Sequence, residues 1–215
     1  MCPLMTSLET ILRQVRKDLK QKHQIRENAH AQMQKATRLS KQATLLTHQK
    51  KFTQANKAIA ETETLISELH KTAETYPDIV YGGMFSAALQ EYSEARIFMN
   101  LVRKSTFIPP QEINVNSTDY VLGLADVIGE YRRLALDALR EDNIKKSEKC
   151  LETMDKIYVE LLALDETYML VSGLRRKSDI ARRIIETTRG DITQEVRRSM
   201  LEKYLKRFEK ALKIT

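Results

Sequence analysis

The chain has 215 residues, with six glycines, four prolines and two cysteines; 42% of the residues are hydrophobic, 30% are charged, and the formal net charge is +7. This composition excludes a turn-rich β-sandwich or barrel, general disorder and a disulfide framework. No apolar run approaches the roughly 18 residues of a membrane span, and no signal-peptide-like stretch opens the chain, so we expect a cytoplasmic protein with no membrane partner.

The first half of the chain predicts two helices. The spacing of Thr6 and Glu9 is that of a capping box, and apolar residues then recur at helical spacing over residues 8–46 without glycine or proline. This stretch is one helix of about 40 residues, or two helices that share an axis. A single helix of that length is roughly 60 Å long, so we expect other helices, often those of other subunits, to cover part of it. A second helix is predicted over residues 52–75, before Pro77, because proline disfavours helical geometry in the residue before it.

The second half predicts further helices separated by turn-forming residues. Their predicted ranges are 84–105, 118–140, 144–163 and a stretch that ends at Arg189. Gly190 has the character of a residue that ends a helix, and Asp191 that of the N-cap of a last helix over residues 192–213. The sequence therefore predicts an all-α antiparallel bundle of six to seven helices with a very long first helix, in a single domain over residues 1–215.

Four acidic residues of the third and fourth predicted helices form two pairs. Glu91 and Glu94 are three residues apart, and Asp126 and Glu130 are four apart, so each pair shares one helix face. If the two helices pack antiparallel across the loop over residues 106–117, a rise of about 1.5 Å per residue places all four at overlapping heights. If the two faces meet, the four carboxylates converge, and like charges this close either hold protons or bind a hard cation such as Mg²⁺ or Mn²⁺. A cation site of that type activates water and stabilises charge on a phosphodiester.

Spacing alone is weak evidence for that site, because glutamates at these spacings are common on exposed helix faces. Other catalytic signatures are missing from the sequence. Ferritin-like di-iron bundles use two Glu-x-x-His motifs, whereas the chain contains only Glu27-x-x-His30. No Ser-His-Asp, P-loop or dinucleotide-binding signature is evident.

The residues around the four acids are more specific than their spacing. Residues 84–95 read MFSAALQEYSEA, and residues 119–130 read DYVLGLADVIGE. These segments resemble the two best-marked segments of the translin superfamily, L-Q-E-Y-x-E-A and D-Y-x-x-G-x-A-D-x-x-G-E, in the form found in its catalytic branch, that of translin-associated factor X. The likeness in length and helix order extends over nearly the whole chain.

The resemblance implies a translin-like bundle that assembles into a closed oligomeric shell, a homo-oligomer expected to be an octamer, with or without a translin-like partner subunit. It also implies a metal-dependent endoribonuclease that binds single-stranded or duplex RNA and hydrolyses it inside the shell, with Mg²⁺ or Mn²⁺ as cofactor. The metal-binding catalytic residues would be Glu91, Glu94, Asp126 and Glu130. The nearest counterparts of the family's RNA-binding residues on the first helix are Arg26, Lys35, Arg38 and Lys41.

The distribution of charge agrees with RNA binding but leaves other functions open. Bases outnumber acids in residues 1–60 and 171–215, whereas acids outnumber bases in residues 61–170. Basic ends bind phosphates, although most charge runs are solvated helix faces. The first alternative is a non-catalytic RNA- or DNA-binding helical oligomer of the translin type with structural acids. The second is a plain oligomeric scaffold, because only 6% of the residues are aromatic and suited to base stacking.

Overall fold

The computed structural model describes residues 7–164 and 169–212. Within these ranges the chain forms seven α-helices and one 3₁₀ turn, so the prediction of an all-α fold is confirmed. The helices are α1 (Leu8–His48), α2 (Phe52–Thr75), α3 (Pro77–Val80), α4 (Gly83–Lys104), α5 (Ser117–Arg140), α6 (Ile144–Leu162) and α7 (Leu174–Leu212), and the 3₁₀ turn (Pro110–Ile113) lies between α4 and α5. No helix in the described ranges is long and apolar enough to cross a membrane.

The first helix, α1, has 41 residues, in agreement with the predicted long first helix. Its N-cap is Ser7, whose hydroxyl oxygen accepts a hydrogen bond from the Thr10 N–H at 3.3 Å. This bond satisfies one of the backbone donors that have no partner within the helix. The predicted capping residue, Thr6, lies outside the described residues.

Residues 1–92 and 93–215 form two compact units, and α4 runs from the first into the second. In the first unit α1 packs against α2 and α3. Small residues repeat along the buried face of α1, so the neighbouring helix approaches closely; they are Ala29, Ala36 and Ala43. A single domain over residues 1–215 therefore stays a prediction.

The short helix α3 lies between the predicted second and third helices and was not among the predicted elements. Pro77 occupies its first turn, where the absent N–H is not needed and the fixed φ favours a helix start. The same proline ends α2 at Thr75, as predicted from the sequence. Val80, which is 1% exposed, then anchors α3 in the core of the first unit.

In the second unit α5 packs against both α6 and α7, and α6 packs against α7. The start of α5 is fixed by a reciprocal cap. The side-chain oxygen of Asn116 accepts a hydrogen bond from the Asp119 N–H at 2.9 Å, and its amide nitrogen donates to the Asp119 carboxylate at 2.7 Å. Because this cap fixes the first turn, it also fixes the rotation of α5 and of the acids that follow.

The predicted break at Gly190 and Asp191 is wrong, because α7 continues through both residues as one helix of 39 residues. Ile185, Thr188 and Ile192 lie three and four residues apart on one face of α7, and all three are buried. A break at Gly190 would remove Ile192 from that face. Burial of this face therefore outweighs the helix-ending preference of glycine, which is worth about 1 kcal/mol.

Both ends of the described chain expose apolar side chains at helical spacing. At the start of α1 these are Leu8, Ile11, Leu12, Val15 and Leu19, with exposed fractions between 44% and 70%. At the end of α7 they are Met200, Leu201, Tyr204, Leu205, Phe208 and Leu212. Contiguous apolar stripes of this kind are typical of surfaces that bind another protein chain.

Candidate functional site

The four predicted catalytic acids lie on two helices and are all half-buried. Glu91 and Glu94 lie on α4, and Asp126 and Glu130 lie on α5, in the middle of each helix. Their neighbours in the sequence, including Tyr92, Ala95, Ala125 and Val127, are buried. The acids therefore follow the edge of the apolar faces, where a carboxylate keeps partial access to solvent.

Tyr92, between the two glutamates of α4, is 1% exposed. Its hydroxyl donates a hydrogen bond to the Glu63 carboxylate on α2 at 2.8 Å. A buried tyrosine with its hydroxyl bonded fixes the rotation of the helix that carries it. The tyrosine of the motif LQEYSEA therefore orients the turn that carries Glu91.

Glu91 forms an ion pair with a residue predicted to bind RNA. The Lys41 ammonium of α1 lies 3.1 Å from the Glu91 carboxylate, with the lysine side chain 63% exposed and the glutamate side chain 28% exposed. Because the lysine is largely solvated, the pair is weak and the ammonium is free to exchange partners. Lys41, a predicted RNA-binding residue, is therefore paired with Glu91, a predicted catalytic acid.

Asp126 also forms an ion pair with a lysine, Lys177 of α7. The same ammonium donates a hydrogen bond to the backbone carbonyl of Leu122, one turn earlier on α5, at 3.3 Å. The Lys177 side chain is 25% exposed and the Asp126 side chain 39% exposed. The sequence analysis did not find Lys177, because the two residues are 51 positions apart and no local pattern connects them.

The other two acids lie in the second unit, close to an aromatic contact between α4 and α5. Phe98 follows Glu94 by one turn, and Tyr131 follows Glu130 directly. Their ring centroids are 6.0 Å apart in an edge-to-face arrangement. This ring contact therefore joins α4 and α5 one turn beyond Glu94 and directly beside Glu130.

The four acids suit Mg²⁺ or Mn²⁺ in chemistry, because both ions prefer hard carboxylate oxygen ligands. Two of these acids, Glu91 and Asp126, each already hold a cationic ammonium group. Across residues 7–164 and 169–212, no three Asp, Glu, His or Cys side chains lie close enough together to bind a metal ion. The carboxylates therefore suit a hard divalent cation by their chemistry, but the described residues do not gather them into a metal-binding cluster, and lysines pair with two of the four.

The four predicted RNA-binding residues of α1 are all exposed, but they differ in their partners. Lys35 forms an ion pair with Glu61 of α2 at 2.6 Å, and Lys41 pairs with Glu91. Arg26 and Arg38 have no ion-pair partner in the part of the chain that the structure describes. Only the two arginines therefore present their charge to solvent without a competing carboxylate.

Comparison with known proteins identifies the family of the chain. The Translin family model matches residues 6–188. An uncharacterised protein of Methanocaldococcus jannaschii is 38% identical over 146 residues, which make up 67% of this chain and 64% of that protein. The match thus spans less than two thirds of the length of that relative.

Solved structures share the fold over most of the chain. A structure of an AfC3PO complex with duplex RNA is 31% identical and has a TM-score of 0.75. The match covers 86% of this chain and 95% of the chain in that structure. The crystal structure of AfC3PO is 32% identical, with a TM-score of 0.76 and coverage of 86% and 96%. Apo-NeC3PO, 21% identical with a TM-score of 0.76 and coverage of 91% and 98%, shares the fold. Because the family model matches most of its residues, the chain belongs to the Translin family.

Proposed function

We propose that this protein is a Mg²⁺- or Mn²⁺-dependent endoribonuclease that binds RNA and cleaves it inside an oligomeric shell. The observation that carries the proposal is the complete set of four half-buried acids at the family's motif positions, Glu91, Glu94, Asp126 and Glu130. RNA as the substrate is supported by the similarity to AfC3PO, which has a structure in complex with duplex RNA.

In this proposal Glu91, Glu94, Asp126 and Glu130 would hold the divalent ion. A bound divalent ion supplies Lewis-acid activation of a water and offsets negative charge on the phosphate. The chain itself contributes fixed positions: the Asn116 and Asp119 cap fixes the start of α5, and Tyr92 fixes the rotation of α4. No side-chain nucleophile is required.

The exposed arginines of α1 are proposed to bind the RNA backbone. Arg26 and Arg38 are solvated cations on the long helix, and Lys35 and Lys41 join them if their carboxylate partners release them. Each phosphate that a cation neutralises releases condensed counterions, which favours binding at low salt.

The oligomeric shell is proposed from the exposed apolar stripes at the two ends of the described chain. Residues such as Leu8, Leu19 and Phe208 are each more than 60% exposed, so the described residues of this chain leave them uncovered. We propose a homo-oligomer, with an octamer as the expected size. Light scattering should give at least six subunits at micromolar protein, and a monomer at that concentration would contradict the proposal. Loss of the oligomer after purification away from a second chain would instead indicate a translin-like partner subunit.

The experiment that tests catalysis incubates labelled RNA with the pure protein, with and without Mn²⁺. The wild-type chain should cleave RNA only with the metal. Glu94→Gln and Asp126→Asn should reduce cleavage by orders of magnitude while RNA binding persists, because each change preserves shape and removes a carboxylate. Glu148→Gln, which changes an exposed glutamate of α6, is the matched control and should remain active. Full metal-dependent activity in either amide variant of the site would refute the assignment.

A second candidate function is a non-catalytic RNA- or DNA-binding oligomer of the translin type. The ion pairs Lys41–Glu91 and Lys177–Asp126 favour it, because salt-bridged carboxylates have a structural role without any metal. In this case RNA should bind equally with Mn²⁺ or EDTA and remain intact under both conditions.

A further inference from the structure

Lys177 holds Asp126 in a way that differs from an ordinary surface ion pair. Its ammonium contacts the carboxylate and also donates to the Leu122 carbonyl of α5 at 3.3 Å. Two acceptors on one helix therefore hold the same ammonium group, and only 25% of the lysine side chain is exposed. A lysine held in this way loses its rotamer freedom in the folded chain, so it occupies the position beside Asp126 persistently.

The location of Lys177 near the start of α7 adds a repulsion that its contacts with α5 offset. Lys177 is the fourth residue of α7, in the turn where unpaired backbone N–H groups give the helix a partial positive charge. A cation is disfavoured near the N-terminus of a helix. The first turn of α7 contains no acidic residue that would offset this repulsion. Asp126 is therefore the main attraction that keeps the ammonium in place.

A divalent cation that binds Asp126 must compete with this ammonium for the same carboxylate oxygens. The +1 charge and the +2 charge cannot both lie in contact with one carboxylate oxygen without strong repulsion. Because the ammonium already contacts Oδ2 of Asp126, binding of the ion would be opposed by repulsion from the ammonium or by the free energy needed to move it away, and either lowers the affinity for the metal.

We propose that Lys177 is the internal competitor of the divalent cation at Asp126, a positioning residue that holds the carboxylate in the metal-free protein and lowers its metal affinity. The proposal rests on the proposed function, because it takes Asp126 to be a metal ligand. It concerns binding rather than turnover, so it has a readout that does not depend on RNA cleavage.

The test measures Mn²⁺ binding to the full chain without RNA, by the electron paramagnetic resonance signal of free Mn²⁺. Lys177→Met preserves most of the side-chain volume and removes the ammonium. We expect its Kd for Mn²⁺ to be about fivefold lower than that of the wild type, which corresponds to ~1 kcal/mol. Lys177→Arg keeps the positive charge and should bind Mn²⁺ no more tightly than the wild type.

Removal of any positive charge raises cation affinity slightly through long-range electrostatics, so a matched control is needed. Lys145→Met changes an exposed lysine of α6 and removes the same charge from the same unit. Its Kd should stay close to that of the wild type. A Kd in Lys177→Met equal to that of Lys145→Met, or a Lys177→Arg variant that binds more tightly than the wild type, would overturn the proposal.

Asp126→Asn separates failure of this inference from failure of the proposed function. If the amide variant loses Mn²⁺ binding while Lys177→Met binds as the wild type does, Lys177 is not a competitor but the metal site stands. If the amide variant binds Mn²⁺ as well as the wild type does, Asp126 is not a ligand and both proposals fail. The Mn²⁺-induced rise in melting temperature gives a second measure in each folded variant, and it should be largest in Lys177→Met.

Discussion

Arg132 of α5 and Asp191 of α7 form an ion pair, with the Arg132 guanidinium nitrogen 3.1 Å from the Asp191 carboxylate oxygen. A second nitrogen of the same guanidinium donates a hydrogen bond to the Thr188 hydroxyl at 2.7 Å. Thr188 and Asp191 lie on opposite sides of Gly190 in the sequence. One arginine therefore fastens both sides of the predicted helix break to α5, and this fastening helps α7 to continue through it.

Replacement of Arg132 by methionine should weaken this connection. The variant keeps an apolar stem but loses both contacts. Because the ion pair is partly exposed, its contribution is moderate, and the free energy of unfolding should fall by about 1–2 kcal/mol. Urea unfolding at fixed protein concentration measures the change. Arg133→Met, at an exposed neighbouring position, is the control and should alter stability by less than about 0.5 kcal/mol. Similar losses in both variants would contradict a special role for Arg132.

Gly190 lies inside α7, so alanine should be favoured there. A Cβ atom built at Gly190 meets nothing within 4 Å, and alanine is the better helix former. Gly190→Ala should therefore raise the free energy of unfolding by about 0.5–1 kcal/mol. Gly173 is the matched comparison, because its φ of 90° is unfavourable for any residue with a side chain. Gly173→Ala should destabilise the chain, and a loss of stability in Gly190→Ala would indicate that the helix breaks there after all.

Arg38 should contribute more to RNA binding than Lys35, since Lys35 is already paired with Glu61. Arg38→Glu should weaken RNA binding and reduce the slope of log affinity against log salt by about 0.7–0.9 for each phosphate contact that is lost. Fluorescence anisotropy across a salt series measures both quantities. Lys57→Glu makes the same kind of charge reversal at an exposed residue of α2. If Lys57→Glu has the same effect as Arg38→Glu, the contribution of Arg38 is only its general charge.

Cys150 should react slowly with thiol reagents in the folded protein. Burial raises the pKa of the Cys150 thiol to about 11, although the nearby Lys146 partly opposes the shift. Since the reactive species is the thiolate, little of it exists at pH 8, and the reaction rate should rise as the pH approaches about 11. Ellman's reagent applied to a Cys2→Ser variant reports on Cys150 alone. Rapid labelling at pH 8 without denaturant would show that the thiol is accessible.

Much of the architecture follows from local patterns in the sequence. The predicted second helix, residues 52–75, agrees with α2, because its apolar periodicity and Pro77 act over only a few residues. The sequence also places the four acids on two helices, since the motif segments around Glu91 and Asp126 are recognised from neighbouring residues alone. The same motif segments also indicate the Translin family, to which the chain belongs.

The partners of those acids depend on contacts that no local pattern contains. Lys177 lies 51 residues from Asp126 in the chain, and Arg132 lies 56 residues from Thr188. Helical periodicity specifies which face a residue occupies, but not which helix that face meets. At Gly190 the local preference for a helix end is opposed by burial of Ile192 and by the contacts of Arg132. The sequence alone therefore determined α2 and the placement of the four acids on two helices. The continuity of α7 and the lysine beside Asp126 were decided only by tertiary packing, because packing energies act between residues that are distant in the chain.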